Sequence, residues 1–167
     1  MPVSADAIKA LREKTGAGII DCKNALEQAN GDINKAEQIL KEKGLASAAK
    51  RAERKTMVGI VEPYIHAGGR IGALVEINCE TDFVARTEEF KNLAHDIAMQ
   101  VAALKPQFLQ EEDVPADFVG DKESAVLLKQ PFIKDQSKTV KDLVTALIAK
   151  TGENVKIRRF SRFELGD

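Results

Sequence analysis

Val58-Gly59-Ile60-Val61-Glu62-Pro63-Tyr64-Ile65-His66-Ala67-Gly68-Gly69-Arg70-Ile71-Gly72-Ala73-Leu74-Val75-Glu76-Ile77-Asn78-Cys79 is the stretch on which the fold turns. Val58 and Ile60 lead into Tyr64-Ile65-His66, and beyond Ala67-Gly68-Gly69-Arg70 the residues Ile71, Ala73, Val75, Ile77 and Cys79 recur at every second position. A period of two marks strands whose side chains alternate between faces, and glycines between two such runs supply the positive φ of a tight turn. The segment reads as a β-hairpin. Pro63 has no N–H to give to a ladder, which places the first strand at a sheet edge or a bulge. Gly68-Gly69-Arg70-Ile71-Gly72 resembles a phosphate loop in composition only, because it joins two strands instead of opening a helix. The chain contains no GxxxxGKS or GxxxxGKT pattern, which excludes a P-loop nucleotidase.

Downstream comes Glu80-Thr81-Asp82-Phe83-Val84, then a helix expected from near Thr87, with Phe90, Leu93, Ala94, Ile97, Val101 and Leu104 as its apolar stripe and Pro106 as its stop. His95 falls on the polar side of that helix and is assigned no role. Residues 107–136 carry Pro115, Pro131 and scattered acids, and read as loops around one short helix near Lys122 to Lys129. Thr139 can cap a helix bearing Val140, Leu143, Val144, Leu147 and Ile148 and closed by Thr151-Gly152, after which Val155 to Leu165 alternates as a last strand. Three strands suit an antiparallel sheet with helices over one face.

Upstream the period is helical. Ser4 caps a first helix with Ile8 and Leu11 on one face, ended by Gly16. Ile19, Cys22, Ala25, Leu26 and Ala29 form a second, stopped by Asn30-Gly31. Asp32 caps a third, with Ile33, Ala36, Ile39 and Leu40, expected to terminate at Gly44 in the left-handed conformation. The expected organisation is a three-helix domain over 1–44, a basic helical linker over 45–56, and an α+β core domain over 57–167. In the linker, Lys50, Arg51, Arg54 and Lys55 are read as a solvated face, with a phosphate or RNA contact as the lesser alternative because aromatic residues do not interleave them.

The 167 residues carry 25 Lys plus Arg against 26 Asp plus Glu, so the whole chain offers no long-range attraction to phosphate backbones, and direct nucleic-acid binding is not expected. No apolar run approaches the roughly 18 residues of a membrane span, and the start has no basic-then-apolar leader, so a cytoplasmic protein is expected. Cys22 and Cys79 stand far apart, outside any CxxC pair, and read as structural thiols; a nucleophilic role with His66 or His95 as base would need a convergence that spacing does not reveal. No cofactor and no metal site is expected.

Four blocks in order carry a resemblance: Leu11-Arg12-Glu13-Lys14-Thr15-Gly16-Ala17-Gly18 with Asp21-Cys22-Lys23; Asn30-Gly31-Asp32; Asn78-Cys79-Glu80-Thr81-Asp82-Phe83-Val84; and Gln130-Pro131-Phe132. Together they closely resemble bacterial elongation factor Ts, the nucleotide-exchange factors for the translational GTPase elongation factor Tu, in their short form with a single core repeat. The resemblance implies a ubiquitin-associated-like three-helix domain followed by a dimerisation-type core, and a protein that is not an enzyme but acts by binding. It implies that Thr81, Asp82, Phe83 and Val84 reach the partner's nucleotide pocket and disturb its magnesium site. It assigns Ile19, Ile20 and Lys23 to a helix of the partner's GTP-binding domain, and His66 and Arg70, within Tyr64-Ile65-His66 and Gly69-Arg70-Ile71-Gly72, to another partner domain.

A homodimer is expected as well, because the absent second repeat leaves a sheet surface uncovered. Two rival readings stand beside this one: a ubiquitin-associated-like adaptor without exchange activity, and a cysteine- or metal-dependent hydrolase. For Phe83 the residue pattern leaves two placements open, a ring folded back as a staple over the following helix or an exposed interface anchor, and the resemblance favours the second.

Overall fold

The structure is a computed structural model and describes residues 3–167. Residues through Arg54 together with Thr145–Asn154 form one compact unit, and Lys55–Val144 with Val155–Asp167 form a second. The class is α+β, as expected.

The first unit is built on α1 (Ala5–Thr15), α2 (Ile19–Gln28) and α3 (Ile33–Arg51). The sequence specifies the starts of α1 and α3 and the stop of α1. The Ser4 hydroxyl accepts from the Ala7 N–H at 3.1 Å, and Asp32 accepts from the N–H groups of Asn34 and Lys35 at 2.9 and 3.1 Å, satisfying donors that a helix start leaves orphaned. Gly16, at φ 70°, closes α1 with its N–H on the Arg12 carbonyl at 2.8 Å, a left-handed cap that glycine adopts without Cβ strain. Leu11, Cys22, Ala25, Leu26, Ala29 and Ala36 make the buried centre, with Ile8, Ile39 and Leu40 packed around it.

The stop expected at Gly44 does not occur, so the expected boundary at 44 does not mark the end of a helix. α3 runs on to Arg51, and Gly44 is a buried helical residue. A Cβ built there would lie 3.6 Å from Thr145 Cγ2 and 3.8 Å from Ala149 Cβ, so the small residue marks close packing instead of a cap. Those are ordinary contact distances. Gly44→Ala is therefore expected to stabilise the protein by about 0.5–1 kcal/mol through helix propensity, read as a raised denaturation midpoint at unchanged slope. A loss of stability would show that the site is tighter than these distances. Arg51, one of the four cations of the expected linker, donates from Nε to the Gly152 carbonyl at 2.8 Å and from Nη1 to the Ser47 carbonyl at 3.0 Å. That engagement weakens the phosphate-contact alternative.

The second unit holds β1 (Val58–Ile65) and β2 (Ile71–Cys79), then α4 (Asp82–Ala85) and α5 (Glu88–Leu104). After α6 (Lys122–Ala125) come β3 (Pro131–Phe132), β4 (Asp135–Thr139), α7 (Val140–Thr151), whose residues from Thr145 belong to the first unit, and β5 (Lys156–Glu164). The hairpin is as expected: β1 pairs antiparallel with β2 from Val58↔Cys79 to Ile65↔Gly72, and Gly68 and Gly69 turn the chain at φ 90° and 69°. β5 joins the other side of β2, giving the order β1-β2-β5 and leaving Pro63 on an edge strand, where its missing donor costs nothing. One face of the sheet, including Ala73, Val75 and Ile77, is buried under α5, whose stripe of Phe90, Leu93, Ala94, Ile97, Ala98 and Val101 is likewise buried.

Two features were not legible in advance. β3 and β4 form a small hairpin in the region read as loops, held to α5 by Gln100, which is buried and accepts from the Ile133 N–H at 2.9 Å while donating to Gln130 Oε1 and the Pro131 carbonyl at 3.1 and 3.0 Å. A bulge in β5 leaves Arg158 without an opposite residue, so that Arg158 and Arg159 both reach Glu76, at 3.4 and 2.7 Å. The Arg159 hydrogen bond holds the Glu76 carboxyl below the usual carboxylate range.

Candidate functional site

The segment after β2 is a single helical turn clamped at both ends. Cys79, the buried last residue of β2, donates from Sγ to the Thr81 carbonyl at 3.3 Å. Thr81 is extended, at φ −131° and ψ 154°, and its hydroxyl caps α4 by accepting from the Val84 N–H at 3.5 Å, the long end of hydrogen-bond range. At the exit, the Val84 carbonyl receives both the Thr87 N–H, at 3.0 Å, and the Thr87 hydroxyl, at 2.8 Å. The same hydroxyl oxygen accepts from the Phe90 N–H at 3.3 Å, capping α5.

This turn separates its side chains by direction. Val84 and Ala85 are buried and hold the turn to the sheet, whereas Phe83 is 87 % exposed. The open question about Phe83 is thereby answered geometrically: the ring does not fold back over α5. Asp82 is exposed, with Arg86 Nη2 at 3.9 Å from its carboxylate, an i,i+4 pair too open to water to immobilise either group. Of the four residues assigned to the partner's nucleotide pocket, Thr81, Asp82 and Phe83 retain some exposure, while Val84 faces inward as an anchor. Val84, at 9 % exposure, anchors the turn in this chain. Its side chain diverges from that of Phe83 because successive residues of one turn point about 100° apart.

The other assigned residues are accessible. Ile19 and Ile20 open α2 and are 58 % and 74 % exposed, and Lys23, one turn on, lies 3.8 Å from Glu27. Large apolar side chains at this exposure in a first turn make no contribution to the core. His66 and Arg70 flank the hairpin turn, both exposed; His66 Nδ1 lies 3.2 Å from the Tyr64 hydroxyl, and the Arg70 carbonyl accepts from the Leu165 N–H at 2.9 Å. They stand at the opposite end of β2 from Thr81, so its nine residues, at roughly 3.3 Å each, separate the two regions by about 30 Å.

His95 is not simply solvated: its Nδ1 is 3.1 Å from Glu62 Oε1, tying α5 to β1, and Tyr64 meets its ring edge-on at 5.7 Å. Cys22 and Cys79 are buried and form no disulfide, and burial pushes the Cys22 thiol up, away from the reactive thiolate. Among the described residues no cluster of His, Cys, Asp and Glu could hold a metal ion, and no helix is long and apolar enough to cross a membrane.

The family model for elongation factor Ts matches residues 21–131, which include α2 from Asp21 onward, the hairpin, the clamped turn and α5. Curated relatives extend the match over the chain. The elongation factor Ts of Carboxydothermus hydrogenoformans is 52 % identical across 99 % of this chain and 90 % of its own length. That of Caldanaerobacter subterraneus subsp. tengcongensis is 52 % identical across 99 % and 98 %, and that of Thermotoga maritima 50 % identical across 100 % and 98 %. The first of these alignments runs over 196 positions against 167 residues here, a difference of 29, so that relative carries at least that many residues without a counterpart in this chain. A family match through the clamped turn and half-identity from end to end leave one assignment: the chain belongs to the elongation factor Ts family.

Proposed function

We propose that this chain is a guanine-nucleotide exchange factor for elongation factor Tu, acting in the cytoplasm by binding alone. The observation that carries the reading, beside family membership, is the exposed Phe83 on a turn whose neighbours Val84 and Ala85 are buried. An aromatic ring offered to solvent costs a monomer apolar exposure with no return, and makes sense as an anchor for a second protein. In this reading the Thr81-Asp82-Phe83-Val84 turn enters the partner's nucleotide pocket and disturbs its magnesium site, with Phe83 at its exposed tip and Val84 holding it to the core. Ile19, Ile20 and Lys23 grip a helix of its GTP-binding domain through a ubiquitin-associated-like three-helix domain, and His66 and Arg70 touch another of its domains.

The physical requirement is differential affinity. Bound GDP is held by phosphate contacts and by a magnesium ion, one of the largest local charges in such a site. A factor that displaces the ion weakens the nucleotide, and linkage requires the nucleotide to weaken the factor by the same ratio. Each tenfold weakening takes about 1.4 kcal/mol of contact made only with the empty partner. Incoming GTP then expels the factor, and no bond is made or broken by this chain. Release of labelled GDP from elongation factor Tu, timed with and without the protein, tests the reading directly. Equal release rates at saturating protein would refute it.

The core is further proposed to be a dimerisation surface. On the sheet face away from α5, Val61, Ile65, Leu74 and Phe163 are exposed, the last at 69 %. Such a patch on one sheet face is rarely left open in a monomer. Light scattering is expected to give twice the chain mass for the protein alone and, with the partner, the mass of a two-plus-two complex, and Leu74→Asp to halve both. A monomeric mass in both settings would end the proposal.

A further inference from the structure

We propose that Thr87 is the positioning residue of the exchange site: its side chain sets the angle at which Phe83 is presented, by tying the carbonyl at the end of the clamped turn to the first amides of α5. The inference rests on the wedge role given above to Phe83.

A four-residue helix cannot hold itself, since a first turn orders several torsions for one hydrogen bond. Its orientation must come from what fastens it. At the entry the Cys79 thiol donates to the Thr81 carbonyl at 3.3 Å, and the Thr81 hydroxyl accepts from the Val84 N–H at 3.5 Å. At the exit one residue does three things. The Thr87 N–H and hydroxyl both donate to the Val84 carbonyl, at 3.0 and 2.8 Å, and the hydroxyl oxygen accepts from the Phe90 N–H at 3.3 Å. The hydroxyl thus links a carbonyl on the residue next to Phe83 to the N–H of Phe90, whose side chain is fully buried. One end of the link carries the exposed ring, and the other is fixed in the core. Loosening it leaves Phe83 attached and exposed but free to swing, which converts binding energy into ordering cost at the moment the partner must be opened.

Capping and tying are separable because they use opposite capacities of the hydroxyl. Thr87→Asp keeps an oxygen for the Phe90 N–H, carboxylates being good N-caps, but has no proton for the Val84 carbonyl. Thr87→Ser keeps both, and Thr87→Ala keeps neither. Measured as GDP release from elongation factor Tu over a range of factor concentration, Thr87→Ser is expected within about twofold of the parent. Thr87→Asp should keep the parent melting temperature while its maximal release rate falls about fivefold and its half-saturating concentration moves less than about twofold. Thr87→Ala should show the same fall in rate per folded molecule together with a lower melting temperature, and it carries the comparison if the aspartate variant does not fold.

Parent-like maximal rates in Thr87→Asp and Thr87→Ala, or failure of Thr87→Ser to restore the rate, would overturn the proposal. Phe83→Ala, run alongside, separates the two ideas. If it is slow while Thr87→Asp is fast, only the positioning role falls; if it releases GDP at the parent rate, the wedge reading falls and the positioning role with it.

Discussion

Phe83→Ala should slow GDP release from elongation factor Tu by roughly thirtyfold, a loss of about 2 kcal/mol of coupling, while leaving thermal stability within about 1 kcal/mol of the parent. Both halves follow from one observation, the 87 % exposure of the ring. A side chain that makes almost no contact within its own protein has almost no folding energy to lose. Its substitution leaves the buried Val84 and Ala85, the Thr87 tie and the Thr81 cap untouched, so the turn survives and only its tip is removed. On the partner side an aromatic anchor brings large contact area with two torsions to freeze, which is why truncated aromatics dominate interface energetics. Asp82→Ala should cost less, since an exposed carboxylate near Arg86 gives up hydration on docking that its contacts must first offset. A sharp drop in melting temperature with normal exchange by the folded fraction would show that the ring is core and the wedge lies elsewhere.

How far these features could be read before the structure depends on length of pattern. The helices of the first unit and the hairpin span enough residues for a period to declare itself, and their ends carry residues with one physical use, such as Ser4, Asp32 and the glycine pair at 68 and 69. Gly44 misled because glycine serves two needs that look alike in sequence: a left-handed cap, and close approach of another helix. Its neighbour across the contact, Ala149, is 105 positions away, beyond any local pattern. β3 and β4 were missed for want of length, with two and five residues.

The site was legible in part for the same reason. Resemblance locates Thr81 to Val84, but four residues are too few to say which way each points, so the pattern alone leaves the direction of Phe83 open and does not show that Val84 is buried. Thr87 was visible only as the start of a helix. Its tie to Val84 leaves no trace in the sequence, because a capping threonine looks the same whether or not its proton is used. Arg51 shows the reverse error, a cation that composition offers as a solvated charge and the structure engages with the Gly152 carbonyl.

Phe90→Ala should produce the opposite signature to Phe83→Ala: a loss of about 3–5 kcal/mol of stability, with exchange per folded molecule within about threefold of the parent. Phe90 is 0 % exposed and opens the buried stripe of α5 that packs on β1 and β2. Removing the ring forfeits its transfer from water and leaves a cavity that a sheet and a helix, each fixed by its own hydrogen bonds, can only partly close. Total stability of a domain this size is about 5–15 kcal/mol, so the change consumes a large fraction and should lower the melting temperature by roughly 10–20 °C. The backbone N–H that Thr87 caps is unchanged by the substitution, so the link to the Phe83 turn persists in every molecule that remains folded. Exchange should therefore be measured well below the new melting temperature and normalised to the folded fraction. A small melting shift would mean that the stripe repacks without this ring. A stable variant that exchanges as slowly as Phe83→Ala would mean that the turn takes its orientation from the Phe90 side chain itself, placing the anchor of the wedge one residue deeper than the hydroxyl of Thr87.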